Sequence, residues 1–257
     1  MTTLAIQRQG GGALAILLSE TRMEFLRLLR APAFSVPVIT FPLLFYVLFG
    51  VVMVPHNAGE PVLRQIFANF TVFGVMAPGL FGLGVTLAIE RDRGLLQLKR
   101  ALPLPPSAYL GAKLLMAMSF SAIVSLLLMV IAVTVGQVVL ALTQWLTLFA
   151  LAVVGALPFC GLGLLIGTLV KGQAAPALIN LIYLPMSFLS GVLIPLQALP
   201  HALAVAAPIW PCYHLSQLAQ AAVGGTSASG VATHILALIG MASVLFGIAL
   251  RRWARLR

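Results

Sequence analysis

Charged side chains are scarce in this sequence, and their scarcity excludes most classes of soluble protein. They make up 8% of the 257 residues, whereas a soluble domain carries about 25%. Hydrophobic residues make up 61%, more than a core of this size could enclose, so most of the chain is expected to lie in lipid. A net charge of +10 would suggest nucleic acid as the partner of a soluble protein. Here the positions of the basic residues explain the charge, and no nucleic-acid partner is expected.

Cysteine is also rare, and the usual patterns of metal and nucleotide sites are absent from the sequence. Cys160 lies in a long apolar run and Cys212 in a later proline-rich connection, so no disulfide between them is expected. No group of Cys, His, Asp and Glu has the spacing of metal ligands. No G-x-x-x-x-G-K-S/T segment is present to hold nucleotide phosphates. The sequence therefore predicts a chain that is not an enzyme and binds no cofactor or metal itself.

Long apolar runs are what the sequence does have. Six are long enough to cross a bilayer, which takes about 20 residues each. They predict one all-α integral membrane domain over residues 1–257, with spans at about 33–54, 67–89, 107–135, 142–170, 174–194 and 231–250. Of the fifteen basic residues, all but Arg64 fall on one side of this arrangement. By the positive-inside rule that side is cytoplasmic, so both termini are expected inside the cell.

The segment before the first span, residues 14–30, has the pattern of an amphipathic helix. One half of its helical wheel carries leucines and Phe25, whereas the other half carries Glu24 and Arg27. This pattern predicts a helix that lies in the cytoplasmic interface of the membrane. A solvated lead-in helix is the alternative.

The connection before the last span, residues 195–225, is apolar and uncharged, and Pro200, Pro208 and Pro211 interrupt it. It is too interrupted for a span and too apolar for a solvated loop. We expect broken re-entrant helices over 195–222, which enter the outer leaflet while protein shields their backbone. A water-soluble cap is the alternative.

Glycines recur in two of the predicted spans. They form the sequences GLFGLG at 79–84 and GLGLLIG at 161–167, where Gly163 and Gly167 stand about one turn apart. Small residues at this spacing let two helices approach closely. We therefore expect helix packing at these positions.

The longest connection on the basic side, residues 90–113, concentrates charge in the sequence ERDRGLLQLKRALPLPPSAYLGAK. It holds seven of the chain's twenty charged side chains. Leu95, Leu98 and Leu102 share one face of a helix expected over 93–102, which the following prolines end. Charges that only fix the topology would explain the basic residues but neither the acidic ones nor the leucine face. A helix that docks against a partner protein explains all of them.

Three segments in this order resemble those of the membrane subunit of an ABC type-2 exporter, a family that includes bacterial drug, polysaccharide and lipid exporters. They are ETRMEFLRLLRAPAF as the lead-in helix, ERDRGLLQLKRALPLPPSAYLGAK as the loop with the coupling helix, and PMSFLSGVLIPLQALPHALAVAAPIWPCYHLSQL as the fifth span with the broken outer helices. The resemblance implies a multi-pass protein of the bacterial cytoplasmic membrane.

The resemblance also implies partners. Two permeases, as a homodimer, would work with two copies of a separate ATPase, which would bind ATP and Mg²⁺. The substrate would pass outward between the permeases. By position, contact with the ATPase falls on the coupling residues Glu90, Arg91, Arg93, Gly94, Leu95, Leu98, Lys99 and Arg100.

A possible translocation path follows from a seam between permeases that the second and fifth spans line. It would present Phe73, Met76, Asn180, Tyr183 and Phe188. A path so poor in charge fits a lipophilic or amphipathic substrate, because nothing in it could pair with a buried ion. A polysaccharide or lipid-linked glycan is the alternative within the same family, although the aromatic residues form no obvious ladder for sugars.

Three other functions compete with this interpretation. An ion-coupled secondary transporter usually carries charged relays within its spans, but Lys171 is the one charged residue in 114–250. A membrane enzyme would need a nucleophile and a base, such as Ser190 with His201, His214 or His234, but this serine lacks the G-x-S context. A scaffold without transport activity would not need a docking helix.

Overall fold

A computed structural model describes residues 13–55, 58–95, 106–225 and 230–255, and every regular element in those ranges is a helix. The helices, in chain order, are α1 (Ala13–Leu29), α2 (Pro32–Val47), α3 (Glu60–Ala77), α4 (Thr86–Asp92), α5 (Pro106–Thr134), α6 (Leu142–Val154), α7 (Leu157–Leu169), α8 (Ala175–Leu189), α9 (His201–Ala206), α10 (Pro211–Ala222) and α11 (Val231–Arg255).

Shorter helical turns extend or join several of these helices. The π-helix Leu48–Val52 continues α2, and a second π-helix, Pro78–Val85, joins α3 to α4 without a break. The 3₁₀ turns Leu196–Ala198 and Ala207–Ile209 precede and follow α9.

Five helical units among the described residues are long and apolar enough to cross a membrane. They are Pro32–Val52, Glu60–Asp92, Ser107–Thr134, Leu142–Leu169 and Val231–Arg255. These units agree with the expected all-α membrane architecture and coincide with five of the predicted spans. The predicted span 174–194 is present as α8, which has 15 residues and is shorter than the usual length of a span. The count of six spans therefore stays a prediction.

The unit formed by α3, the π-helix and α4 lies at the centre of the bundle. Of its most apolar stretch 78% is buried, against 6% for α11 at the periphery. The π-helix begins at Pro78, which has no backbone N–H for an α-helical hydrogen bond. A wider turn at this proline keeps the helix continuous.

Glycines bring this π-helix and α7 into backbone contact. A Cβ atom on Gly163 would lie 2.5 Å from the Gly79 carbonyl oxygen, and one on Gly167 would lie 2.8 Å from the Gly84 carbonyl oxygen. Neither distance leaves room for a side chain. The close approach predicted from the glycine spacing is therefore confirmed.

The two ends of the bundle differ, and we call them the α4 end, where α4 terminates, and the α3 end, where α3 begins. The short helices α9 and α10 lie at the α3 end. Pro200 and Pro211 stand at their starts, where a proline's missing N–H costs nothing. α10 packs against α3 and α11, whereas α9 buries none of its residues. Two short helices are thus present within the predicted 195–222 segment, and their depth in a membrane stays a prediction.

Candidate functional site

Glu90, near the C-terminal end of α4, is the centre of a buried charged cluster. Only 2% of the residue is exposed. Its Oε1 atom lies 2.6 Å from Nη1 of Arg27 on α1 and 3.1 Å from Nζ of Lys113 on α5. Its Oε2 atom accepts a hydrogen bond from the Tyr109 hydroxyl, also on α5. One carboxylate therefore joins three helices.

A second carboxylate completes this cluster. Oε2 of Glu24 lies 2.7 Å from Nη2 of Arg27 and 3.2 Å from Nζ of Lys113. We call Glu24, Arg27, Glu90, Tyr109 and Lys113 together the Glu90 cluster. Its two carboxylates balance its two cations, which is the condition under which charges are tolerated away from water.

The charged state of the cluster depends on this pairing. Lys113 has no exposed surface, and its Nζ atom also contacts the Thr86 hydroxyl at 3.2 Å. Burial lowers the pKa of the Arg27 guanidinium, but the Glu24 and Glu90 carboxylates outweigh burial and leave that pKa raised. Arg27 therefore stays charged, and the cluster acts as a fixed electrostatic link between α1, α4 and α5.

Aromatic packing extends the link to the last helix. The Tyr109 ring stacks on the Trp253 ring of α11, with the ring centroids 5.7 Å apart and the planes 13° from parallel. Because Tyr109 also binds Glu90, this residue connects α4 to α11.

The next two residues of α4 hold the connection between α7 and α8. Arg91 donates hydrogen bonds to the carbonyl oxygens of Gly167, at 3.1 Å, and Val170, at 2.6 Å. Gly167 lies in the last turn of α7 and Val170 directly follows it, where carbonyl oxygens lack helical partners and positive charge is favoured. The Gly172 backbone N–H donates to Asp92 Oδ2 at 2.6 Å. The end of α4 is therefore fastened on a second side.

The structure places the predicted coupling residues as follows. Glu90 and Arg91 make the contacts above. Arg93 is exposed just after α4, and Gly94 ends the helix with a positive φ of +70°, a conformation that glycine adopts freely. Leu95 is partly buried. Leu98, Lys99 and Arg100, and with them most of the predicted coupling helix 93–102, lie outside the described residues.

The sequence interpretation missed the partners of Glu90. Glu24 and Arg27 were assigned only to the polar half of an interfacial helix, yet Glu24 is 3% exposed and faces the bundle. Lys113 was counted among the basic residues of the connection. It also lies inside the predicted span 107–135, and a lysine within a span requires an acidic partner. That requirement was the signal that could have revealed the cluster.

A cavity of about 540 Å³ adjoins the cluster. It lies between α2, the π-helix with α4, and α8. Among the described residues that line it none is charged, and its polar side chains are Thr86, Asn180 and Tyr183. Thr86 also contacts Lys113, so the cavity wall and the Glu90 cluster share a residue.

The predicted path residues are divided between this cavity and the core. Asn180 and Tyr183 line the cavity. Phe73 and Met76 are enclosed within the protomer, where the Tyr183 hydroxyl donates to the Phe73 carbonyl oxygen at 3.3 Å. Phe188 lies on the surface of α8, with 42% of the residue exposed. The structure therefore brings two of the five residues to one cavity.

The described hydrogen bonds of His214 go to groups other than Ser190, its partner in the membrane enzyme considered above. Its Nε2 atom lies 2.9 Å from the Pro208 carbonyl oxygen, and its Nδ1 atom lies 2.9 Å from Nδ1 of His234. Both ring nitrogens are thus engaged with other groups, which leaves His214 no free nitrogen to activate the serine.

Comparison with known proteins gives two matches. A family model described as "ABC-2 type transporter" matches residues 17–223. This range includes the Glu90 cluster, the cavity and α10. A Bacillus subtilis (strain 168) protein named "Putative transport permease YvfS" is 27% identical over 241 residues, which cover 92% of this chain and 97% of that protein.

Proposed function

Because the chain belongs to the ABC-2 type transporter family, we propose that it is the permease subunit of an ATP-driven exporter. The family match confirms the resemblance carried by the three sequence segments, and with it a role as a membrane transport permease. The proposed assembly contains two permeases as a homodimer and two copies of a separate ATPase, which binds ATP and Mg²⁺. This chain is not itself an enzyme and supplies the path through the membrane.

The proposed orientation places the α4 end of the bundle at the cytoplasmic face of a bacterial cytoplasmic membrane. The Glu90 cluster and Arg252 in the last turn of α11 belong to this end, and the excess of basic residues on it supports the assignment. The α3 end, with α9 and α10, then faces outward. Both termini are inside.

The observation that supports coupling to an ATPase is the double attachment of the end of α4. The Glu90 cluster fastens it to α1 and α5, and Arg91 with Asp92 fastens it to the connection before α8. The charged loop of the chain begins immediately after these residues. An ATPase that binds this loop would move α4, α1, α5 and α8 together.

The cavity is the part of the structure that such a movement would change. Its walls come from α2, α4 and α8, and two of these are attached to the moving end. When α4 and α8 are displaced relative to α2, the cavity changes width. In the proposed cycle, ATP binding closes the cavity on its cytoplasmic side and drives the substrate outward.

The chemistry of the cavity supports a lipophilic or amphipathic substrate. Its described lining is mostly aliphatic and aromatic, with Phe34, Phe41 and Phe81 among its members. The few polar groups, Asn180 and Thr86, can orient one polar part of a molecule but cannot neutralise a buried charge. We therefore propose a drug-like or lipid-like cargo.

One experiment tests this function. The chain is co-purified with its ATPase and reconstituted in proteoliposomes, and ATP-dependent movement of a lipophilic dye and of a fluorescent phospholipid is measured beside ATP hydrolysis. We expect Arg91→Ala to keep the ATPase bound and active while transport falls about tenfold, a loss typical of coupling between distant sites. Arg252→Ala, which removes an exposed arginine of α11, is the control and should transport normally. Transport by the permease alone without nucleotide would contradict the proposal.

A further inference from the structure

A buried polar network at the α3 end connects α3 to the short outer helices. Nδ2 of Asn69 on α3 donates to the Gly191 carbonyl oxygen at 3.2 Å. Oδ1 of Asn69 accepts hydrogen bonds from the Ser216 hydroxyl, at 2.8 Å, and from Nε2 of Gln220, at 3.0 Å, both on α10. Gln65, one turn before Asn69, donates to Oε1 of Gln220 at 3.3 Å. Together these groups form the Asn69 network.

The network is uncharged and, apart from the exposed Gln65, its side chains are buried. Asn69 is 8% exposed, Ser216 1% and Gln220 5%. Buried amides and hydroxyls are costly unless they are hydrogen-bonded, so these contacts fix one relative position of the helices. Asn69 is the residue that all the other members except Gln65 contact directly. Its side chain therefore provides the specific polar contact between α10 and α3, which adds to their apolar packing.

The same residue also holds the turn that follows α8. Gly191 has a positive φ of +83°, and a Cβ atom there would lie 2.8 Å from Cγ of Leu196. The turn is thus a tight, glycine-dependent structure whose carbonyl oxygen points at Asn69. α9, which comes after it, buries none of its residues and makes only a small contact with α8. Asn69 therefore contacts both the turn before α9, at Gly191, and the helix after it, α10.

Asn69 and Glu90 belong to one continuous helical unit. At 1.5 Å per residue, the helix between them is about 30 Å long, which equals the thickness of the hydrocarbon core. Glu90 is fastened at the cytoplasmic end and Asn69 at the outer end. A displacement of this unit along or across the membrane would act on both ends at once.

We propose that Asn69 is the positioning residue that transmits movement of the second span to the outer helices and so opens the exit. The inference rests on the proposed exporter function. When the ATPase displaces α4, α3 moves with it, and the Asn69 network carries α10 and the turn at Gly191 along. Without the network, α3 would move while the outer helices stayed closed. The cavity would then lose its route outward although ATP hydrolysis continued.

Two sets of variants separate this role from a purely structural one. Asn69→Leu removes the acceptor of the buried Ser216 hydroxyl and the donor to the Gly191 carbonyl oxygen, while Gln220 keeps its contact with Ser216 at 3.0 Å. The thermal midpoint should therefore fall by about 5 °C. The triple variant Asn69→Leu/Ser216→Ala/Gln220→Leu removes the unpaired side-chain groups as well. It should recover most of the lost stability, because an apolar replacement of both partners is nearly neutral. A structural role predicts that function returns with stability, whereas the proposed role predicts that it does not.

The functional readout needs no identified substrate. The permease–ATPase complex carries Cys160→Ala and Cys212→Ala, which remove both native cysteines, and Asn180→Cys in the cavity as a reporter. It is placed in sealed vesicles with the outer face outward and with ATP and Mg²⁺ enclosed. Half of the samples also enclose vanadate, which takes the place of the released phosphate and traps ADP in the ATPase. A membrane-impermeant sulfonated maleimide is then added outside. Trapping should increase labelling in the intact network. In the triple variant we expect trapping to increase labelling by at most about one fifth as much, while the rate of ATP hydrolysis is unchanged.

Each result decides a different statement. If trapping increases labelling equally with and without the network, the role of Asn69 is wrong and the exporter proposal stands. If trapping changes nothing even with the network intact, the exporter proposal fails and the role of Asn69 fails with it. Loss of the increase in the stable triple variant supports the role.

Discussion

At the scale of single residues, the Glu90 cluster sets the limits on what the α4 end can tolerate. Two carboxylates and one ammonium are nearly excluded from water, and the Arg27 guanidinium that pairs with both carboxylates has a side chain that is 44% exposed. Each charge is acceptable only because the others are present. The balance of charge therefore stabilises the cluster, and a change in any one charge alters the electrostatic interactions of all its members.

Loss of one carboxylate should destabilise the protein strongly. Glu90→Gln removes the carboxylate that lies 3.1 Å from the fully buried Lys113 ammonium, so this buried positive charge is left with Glu24, which it shares with Arg27. We expect the free energy of unfolding to fall by about 3–5 kcal/mol. The measurement is denaturation of the purified permease in detergent, followed by circular dichroism.

The control for this prediction is the ion pair between Glu60 and Arg64 at the α3 end. Its carboxylate side chain is 59% exposed, and Oε2 lies 2.6 Å from Nη2 of Arg64. Exposed pairs contribute about 1 kcal/mol or less, so Glu60→Gln should have little effect. Equal losses in the two variants would show that burial does not govern the Glu90 cluster.

Restoring the charge balance should restore stability. Lys113→Met leaves Glu24 and Glu90 to share Arg27, and we expect a loss of about 3–5 kcal/mol in the free energy of unfolding. The double variant Glu24→Gln/Lys113→Met retains the neutral pair of Arg27 and Glu90, which lie 2.6 Å apart. It should therefore be more stable than the single variant. A double-mutant cycle by chemical denaturation measures this coupling, and simple addition of the two losses would contradict it.

The sequence predicted some of these residues and not others, for physical reasons. Glu90 stood out because an acidic residue in a basic patch needs an explanation. Its partners did not, since Glu24 is 66 positions earlier in the chain and only the packing of α1 on α5 brings the two together. Likewise, apolar pattern and proline positions predicted the helices, whereas nothing in the pattern of Asn69 and Gln220 predicted the contact between α3 and α10.

At the scale of helices, glycine contacts determine how the central unit packs against α7. The helix from α3 to α4 can run beside α7 at backbone distance because glycines occupy the points of closest approach on both. Attachment of Arg91 to the last carbonyls of α7 then fixes their relative position along the membrane. The two elements are expected to move as one.

A side chain at this crossing should be poorly tolerated. In Gly163→Ala the new methyl group would lie 2.5 Å from the Gly79 carbonyl oxygen, so the helices must separate. We expect a loss of about 1–3 kcal/mol, as for other overpacked sites. Gly247→Ala on α11 is the matched control, because a Cβ atom there has nothing within 4 Å. It should be neutral or slightly stabilising in the same denaturation measurement, and a similar loss in both would rule out the contact as the cause.

At the scale of the whole molecule, the cavity is open on the surface between α2 and α8. Phe41 of α2 lines it and is 55% exposed, and Leu181 on the neighbouring surface of α8 is 69% exposed. A path that conducts a lipophilic substrate must be closed against the surrounding lipid at some stage of the cycle. A second copy of the chain that covers this side would provide the missing wall, as the proposed homodimer requires.

The side that faces the second permease can be identified by cross-linking in native membranes. In a Cys160→Ala/Cys212→Ala background, Leu181→Cys on α8 is compared with Leu236→Cys on α11, which is 68% exposed. The two positions have almost the same exposure, so lipid contact and reactivity are matched. If α8 borders the seam, a short bismaleimide should yield a covalent dimer of Leu181→Cys and mainly monomer of Leu236→Cys. Preferential cross-linking at α11 would place the seam between the protomers on that side of the bundle, away from the cavity. The substrate could then not pass between the protomers through the space that Asn180 and Tyr183 line.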